Sequence, residues 1–163
     1  MKFKTNSDQE TRNLAKKLVR NFLELEKSRE NALVISLEGE LGSGKTTFAQ
    51  GLAQELGISD WIKSPTFILM REHVIQGQSS NFKTQNRKTK IKADSLSRLY
   101  HIDCYRLDSP KALTEIGLEE ILKNPQNIVL IEWGNKIKEL LPKDMVRISF
   151  RHLRENKREI ALN

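Results

Sequence analysis

Gly39-Glu40-Leu41-Gly42-Ser43-Gly44-Lys45-Thr46 is the stretch on which the reading of this chain turns. It meets the pattern Gly-x-x-x-x-Gly-Lys-Ser/Thr in full. Glycines let the backbone curl until successive amide hydrogens point at one anion, and a helix that follows adds its positive end. The flanks supply that context. Ala32 to Leu37 is a short apolar run, consistent with a buried strand that ends in Glu38-Gly39. From about Lys45 to Leu56 the apolar residues Phe48, Leu52 and Leu56 fall four apart, and Gly57 is a natural helix stop. In such a loop Lys45 would reach the β- and γ-phosphates of a nucleotide and the Thr46 hydroxyl would hold magnesium. An ATP site with magnesium is the expectation.

Hydrolysis needs a carboxylate at the end of a neighbouring strand, to orient the waters of the metal or polarise the attacking one. Two candidates stand downstream. Glu132 directly follows the apolar run Ile128-Val129-Leu130-Ile131 and precedes Trp133. Asp103 lies inside Leu99-Tyr100-His101-Ile102-Asp103-Cys104-Tyr105-Arg106, where an acid is costly unless it meets a cation. Each also has a plain reading as a strand-end or salt-bridged acid. Thr66, after Ser64-Pro65, could bring a hydroxyl to the γ-phosphate, although Ser-Pro-Thr alone reads as a turn. By the residues alone, Trp133 reads as packing, Arg106 as a salt-bridge partner of an acid such as Glu115, and His101 as a hydrogen-bonded strand residue.

Working outward, Ser7-Asp8-Gln9-Glu10 forms a capping box, and Leu14, Leu18, Val19, Phe22 and Leu25 recur at helical spacing behind it. An extended segment is expected from Ser64 to about Val74. Leu99 to Leu107 reads as a strand with Tyr100, Ile102 and Cys104 on one face, and Ser109-Pro110 as a helix start. Met145 to Arg151 and Arg158 to Leu162 pair as a closing hairpin.

The chain has 163 residues and carries a formal net charge of +7. That length suits one domain over residues 1–163. The basic character is local. Between Gln76 and Arg98, Lys83, Arg87, Lys88, Lys90, Lys92 and Arg98 stand against Asp94, which accounts for five of the seven net charges. Within that span, about 76–97 is poor in apolar residues and reads as a basic insertion in a loop or hairpin tip. No apolar run approaches a membrane span, the first residues lack a signal-peptide core, and the one cysteine, Cys104, has no internal partner. A cytoplasmic, membrane-independent protein is expected.

The loop Gly39 to Thr47, then Ser64-Pro65-Thr66-Phe67, then the strand Leu99 to Leu107 with its His-x-Asp-x-Tyr-Arg motif, and finally Ile131-Glu132-Trp133 together resemble the TsaE (YjeE) family. The resemblance covers about residues 8 to 152. It implies a P-loop NTPase α/β fold, with a mixed, mainly parallel sheet flanked by helices and carrying antiparallel hairpins. It implies ATP and Mg2+ as ligands, weak hydrolysis by the isolated protein, and partnership with the tRNA threonylcarbamoyltransferase and its inactive paralogue. The product would be threonylcarbamoyladenosine beside the anticodon of tRNAs that read codons beginning with A. Carried over residue by residue, Gly42, Ser43, Gly44, Lys45, Thr46 and Thr47 would bind phosphate. Thr46 and Glu132 would bind the metal, Asp103 and Thr66 would lie near it and the γ-phosphate, and Trp133 would stand beside the site. Two features depart from the pattern: the long basic stretch, and Gly134-Asn135-Lys136 where an acid commonly follows Glu-Trp.

Two other classes compete. A small-metabolite kinase would share the loop, with the basic stretch as a lid, but no second set of paired arginines and acids marks an acceptor site. An RNA-binding module would use the basic stretch, with tRNA as a candidate partner, yet Phe82 is its one aromatic for base stacking.

Overall fold

The computed structural model describes residues 1–25, 29–58, 68–75 and 96–163. In chain order the elements are β1 (Lys2–Thr5), α1 (Asp8–Leu25), β2 (Leu33–Gly39), α2 (Lys45–Glu55), β3 (Met70–Val74) and β4 (Arg98–Asp103). There follow α3 (Lys111–Glu115), α4 (Leu118–Lys123), β5 (Asn127–Glu132), a 3-10 stretch (Gly134–Leu140), β6 (Val146–Arg154) and β7 (Lys157–Leu162).

The described strands make one sheet in the order β1-β7-β6-β2-β5-β4-β3. The middle four, β6, β2, β5 and β4, run parallel, and the outer strands join antiparallel. This is the mixed, mainly parallel P-loop arrangement expected. Parallel strands are buried on both faces, which is why β2 and β5 read as near-continuous apolar runs.

Alternation along the strands splits the core in two. Leu33, Ile35, Leu37, Leu99, Ile128 and Leu130 face α1 and α2, joining Leu18, Val19, Phe48 and Leu52. Val34, Tyr100, Ile102, Cys104, Val129 and Ile131 face the other way, against Leu113, Leu118 and Ile137. Tyr100, Ile102 and Cys104 share a face as their spacing indicates. By the same period of two, His101, Asp103 and Glu132 belong to the face that α2 covers.

Several boundaries differ from the sequence reading. β4 stops at Asp103 rather than Leu107, because the Asp103 carboxylate accepts the Tyr105 N–H at 2.8 Å and turns the chain. At α3, Ser109 Oγ accepts the Lys111 N–H at 3.3 Å and Pro110 is the cap, so the helix starts one residue later. Before α1, Ser7 Oγ accepts the Glu10 N–H at 3.1 Å, while the Glu10 carboxylate reaches back to the Asn6 N–H rather than that of Ser7. Within the extended segment expected from Ser64, β3 covers Met70–Val74. Residues 64–67 lie outside the described residues, as do 76–95 of the basic stretch. Leu96 packs on the core and Ser97 accepts the Ile75 N–H at 3.0 Å. Among the described residues no helix is long and apolar enough to cross a membrane.

Candidate functional site: the carboxyl ends of the central strands

Register assembles the site. In the β2–β5 ladder Leu37 pairs with Glu132, and in the β4–β5 ladder Asp103 pairs with Glu132. Three parallel strands therefore end side by side with β5 between β2 and β4, and the loop 39–45 leaves β2 to start α2. Ligands of open α/β sheets bind in such a crevice. Here it is a cleft of about 350 Å³ whose lining includes Gly44, Lys45, Thr46, Asp103, Glu132 and Trp133. A cleft of about 420 Å³ at the opposite end of β2, among Arg29, Ala32, Val34 and Met145, is larger but holds none of these residues. Chemistry rather than volume selects the first.

Gly42 (φ 74°) and Gly44 (φ 103°) adopt left-handed conformations that L side chains rarely take, which curls the loop onto the start of α2. Lys45 is buried in the curl, its Nζ donating to the carbonyls of Gly39 at 2.8 Å and Glu40 at 2.9 Å. The ammonium also sits 4.3 Å from the centre of the Trp133 ring, a cation–π distance. Burial pushes its pKa below the usual lysine value, and the charges of Glu132 and Asp103 oppose that shift. Ser43 is buried and its Oγ has no hydrogen-bond partner among the described residues, while Gly42 and Thr47 line the cleft.

Thr46 Oγ1 lies 3.2 Å from both carboxylate oxygens of Glu132. Glu132 is buried, and its Oε1 is also 2.9 Å from His101 Nε2. A buried carboxylate must be paired or coordinate a metal, so Glu132, already bonded to a hydroxyl and an imidazole, is a candidate seat for a cation. Among the described residues no group of three His, Cys, Asp or Glu forms a metal cage. Asp103, buried beside Glu132, faces the same cleft.

Trp133 has left-handed backbone (φ 62°), and its ring contacts Tyr105 at 5.3 Å between centroids. Lys136, the third residue after Trp133, turns to the Tyr105 carbonyl and ring. Thr66 lies outside the described residues.

Sequence reasoning missed Arg158. Its guanidinium reaches from β7 into the cleft wall, bonded to Thr11 Oγ1 at 3.2 Å and to Asp8, and a Cβ on Gly44 would stand 2.6 Å from its Nε. No local pattern marks it, because 114 residues separate it from Gly44.

The family model described as "Threonylcarbamoyl adenosine biosynthesis protein TsaE" matches residues 5–160. The chain is 35% identical over 154 residues to a Rickettsia felis relative, covering 94% of this chain and 74% of that one. A Treponema pallidum relative is 36% identical over 133 residues, or 82% and 83%. A Bacillus subtilis relative is 34% identical over 128 residues, or 78% and 67%. All three carry the name tRNA threonylcarbamoyladenosine biosynthesis protein TsaE. The crystal structure of Bacillus subtilis YdiB superposes with a TM-score of 0.65 at 29% identity, covering 99% of this chain and 83% of that one. With its P-loop at the carboxyl end of β2 and a family match spanning nearly its whole length, the chain belongs to the TsaE family.

Proposed function

We propose that this chain binds ATP with magnesium in the cleft at the ends of β2, β5 and β4, hydrolyses it, and so supports formation of threonylcarbamoyladenosine in tRNA. The observation that carries this reading is the convergence of Lys45, Thr46, Glu132 and Asp103 at one end of the parallel sheet. The residues fit the ligands. The curled loop and the start of α2 offer amide donors and a positive helix end to phosphate oxygens. Lys45 exchanges its two carbonyl partners for the β- and γ-phosphates. The Thr46 hydroxyl and the Glu132 carboxylate, already in hydrogen-bond contact, would hold magnesium between them and the nucleotide. When bound, the metal supplies neutralisation of the phosphate charge. Asp103, in register with Glu132, is the second carboxylate and orients the attacking water.

The output is a conformational one. Ordering of the Thr66 and Trp133 regions by the γ-phosphate and their release after hydrolysis would couple the nucleotide to a partner. That partner is the tRNA threonylcarbamoyltransferase with its inactive paralogue, and the site of work is the cytoplasm. Hydrolysis is slow alone and faster with the partner complex. The test is depletion in cells followed by mass spectrometry of tRNA nucleosides. Threonylcarbamoyladenosine should fall and be restored by wild type but not by Lys45→Ala. An unchanged level overturns the role in modification. In vitro, release of inorganic phosphate without a phosphorylated small molecule separates an ATPase from a kinase.

A further inference from the structure

His101 is fully buried (0% exposed) in the middle of β4, a strand buried from Leu99 to Asp103. A polar ring in such a place demands a partner, and the one it has is Glu132: Nε2 lies 2.9 Å from Oε1. The two are diagonal neighbours, because His101 pairs with Leu130 in the ladder and Glu132 stands two residues further along. Long side chains bridge that diagonal. A carboxylate oxygen accepts, so Nε2 carries the hydrogen. Nδ1 is buried with no hydrogen-bond partner among the described residues. As a bare lone pair this is tolerable, whereas an Nδ1–H there would be an orphaned donor. The ring therefore acts on the carboxylate as a donor through Nε2.

Such a donor fixes the carboxylate. Glu132 ends a long side chain with Lys45 close by, and without a second anchor the carboxylate could turn toward that ammonium. The bond from His101 holds Oε1 on the sheet side. Both oxygens stay 3.2 Å from Thr46 Oγ1, so the carboxylate faces the hydroxyl at the start of α2. Donors behind a metal-binding group commonly set its orientation and change metal affinity by roughly 10- to 100-fold when removed.

We propose that His101 is a positioning residue, whose Nε2–H aims the Glu132 carboxylate at the metal side of the cleft and so sets the affinity for the divalent cation. The inference rests on the reading of Glu132 as a metal-binding carboxylate. A purely structural histidine would alter stability and leave metal affinity alone.

The experiment measures Mn2+ affinity by electron paramagnetic resonance in the presence of ADP, and ADP affinity in chelator, for wild type, His101→Gln, His101→Leu, His101→Asn and Glu132→Gln. Gln places an amide N–H near the position of Nε2, whereas Asn is too short to reach Oε1. Mn2+ affinity should fall tenfold or more in His101→Leu and His101→Asn and stay within about threefold of wild type in His101→Gln. Metal-free ADP affinity should be unchanged in all three, since Lys45 and the loop are untouched. His101→Asn keeps a polar group in the strand and serves where His101→Leu does not fold. Normal Mn2+ affinity in folded His101→Leu or His101→Asn, or an equal loss in His101→Gln, overturns the proposal. If Glu132→Gln weakens Mn2+ binding while those variants do not, the inference alone falls. If Glu132→Gln binds Mn2+ as wild type does, the metal reading of Glu132 falls and takes the inference with it.

Discussion

At the scale of single residues, Lys45 and Glu132 have separable tasks. Removing the Lys45 ammonium deletes the charged partner of the phosphates, a loss on the order of 2–5 kcal/mol. Calorimetry should therefore show ATP affinity down at least thirtyfold in a folded Lys45→Ala protein. Glu132→Gln keeps shape and the acceptor for His101 but loses the charge, so it should hold nucleotide and lose hydrolysis. Normal turnover in that variant would transfer the catalytic role to Asp103. The loop glycines also differ. At Gly42 an added Cβ meets nothing within 4 Å, leaving only left-handed strain of about 1–2 kcal/mol. At Gly44 it meets the Arg158 guanidinium, which is tied to Thr11 and Asp8 and cannot easily yield. Gly44→Ala should lower ATP affinity more than Gly42→Ala, and adding Arg158→Ala should recover part of the difference. Equal losses with no recovery would remove Arg158 as a brace of the loop.

Between elements, α2 crosses α1 at close range. A Cβ on Gly51 would stand 2.4 Å from the Arg12 carbonyl, a backbone atom that can retreat only if the whole helix moves. The same pair of helices is joined by the forked Arg20–Glu55 ion pair, and Phe48 meets Phe150 edge to face at 5.5 Å behind α2. Overpacking of this kind costs about 1–3 kcal/mol. Thermal unfolding of Gly51→Ala should shift down by roughly 2–12 °C at about 2–4 °C per kcal/mol. An unchanged midpoint would mean that the helices separate freely. Because α2 carries Lys45 and Thr46 at its start, ATP affinity should fall with the helix displacement.

On the scale of the whole molecule, Cys104 reports the integrity of the sheet. Its thiol is buried, and burial, with a smaller push from Asp103 against the pull of Lys136, raises its pKa to about 12. The native state holds that proton more tightly than the unfolded chain. The thiol therefore contributes stability that is complete below the ordinary thiol value and lost as pH rises through about 12. At pH 8 a disulfide reagent should label Cys104 slowly in native protein and at once in denaturant. Rapid native labelling would show that the layer over β4 opens easily. The basic stretch sits between strands that already meet: Val74 pairs with Arg98, and Ser97 accepts the Ile75 N–H. Replacing residues 76–95 by a short turn should preserve fold and ATP affinity. Any loss should appear as weaker, salt-sensitive binding of tRNA or partner, and a failure to bind ATP would mean that the stretch supports the nucleotide site.

What the sequence by itself determined is what lies within one turn or one strand of chain. Strand, glycine curl, lysine and helix are contiguous from Leu33 to Glu55, so dihedral preference and apolar spacing suffice to read them. Alternation likewise put Tyr100, Ile102 and Cys104 on one face, and the apolar runs of β2 and β5 marked buried parallel strands. Only the tertiary structure decided which strands are neighbours and in what register. Period two cannot say that Asp103 stands beside Glu132, or that His101, a mere strand residue by its sequence, reaches the Glu132 carboxylate. Nor could it place Arg158 against Gly44, or find β1, four residues whose pairing exists only because β7 lies alongside. Local conformation is written in each residue's own steric limits and its nearest neighbours. Contacts across thirty to a hundred and fifty residues exist only once the sheet has closed and every strand has taken its register.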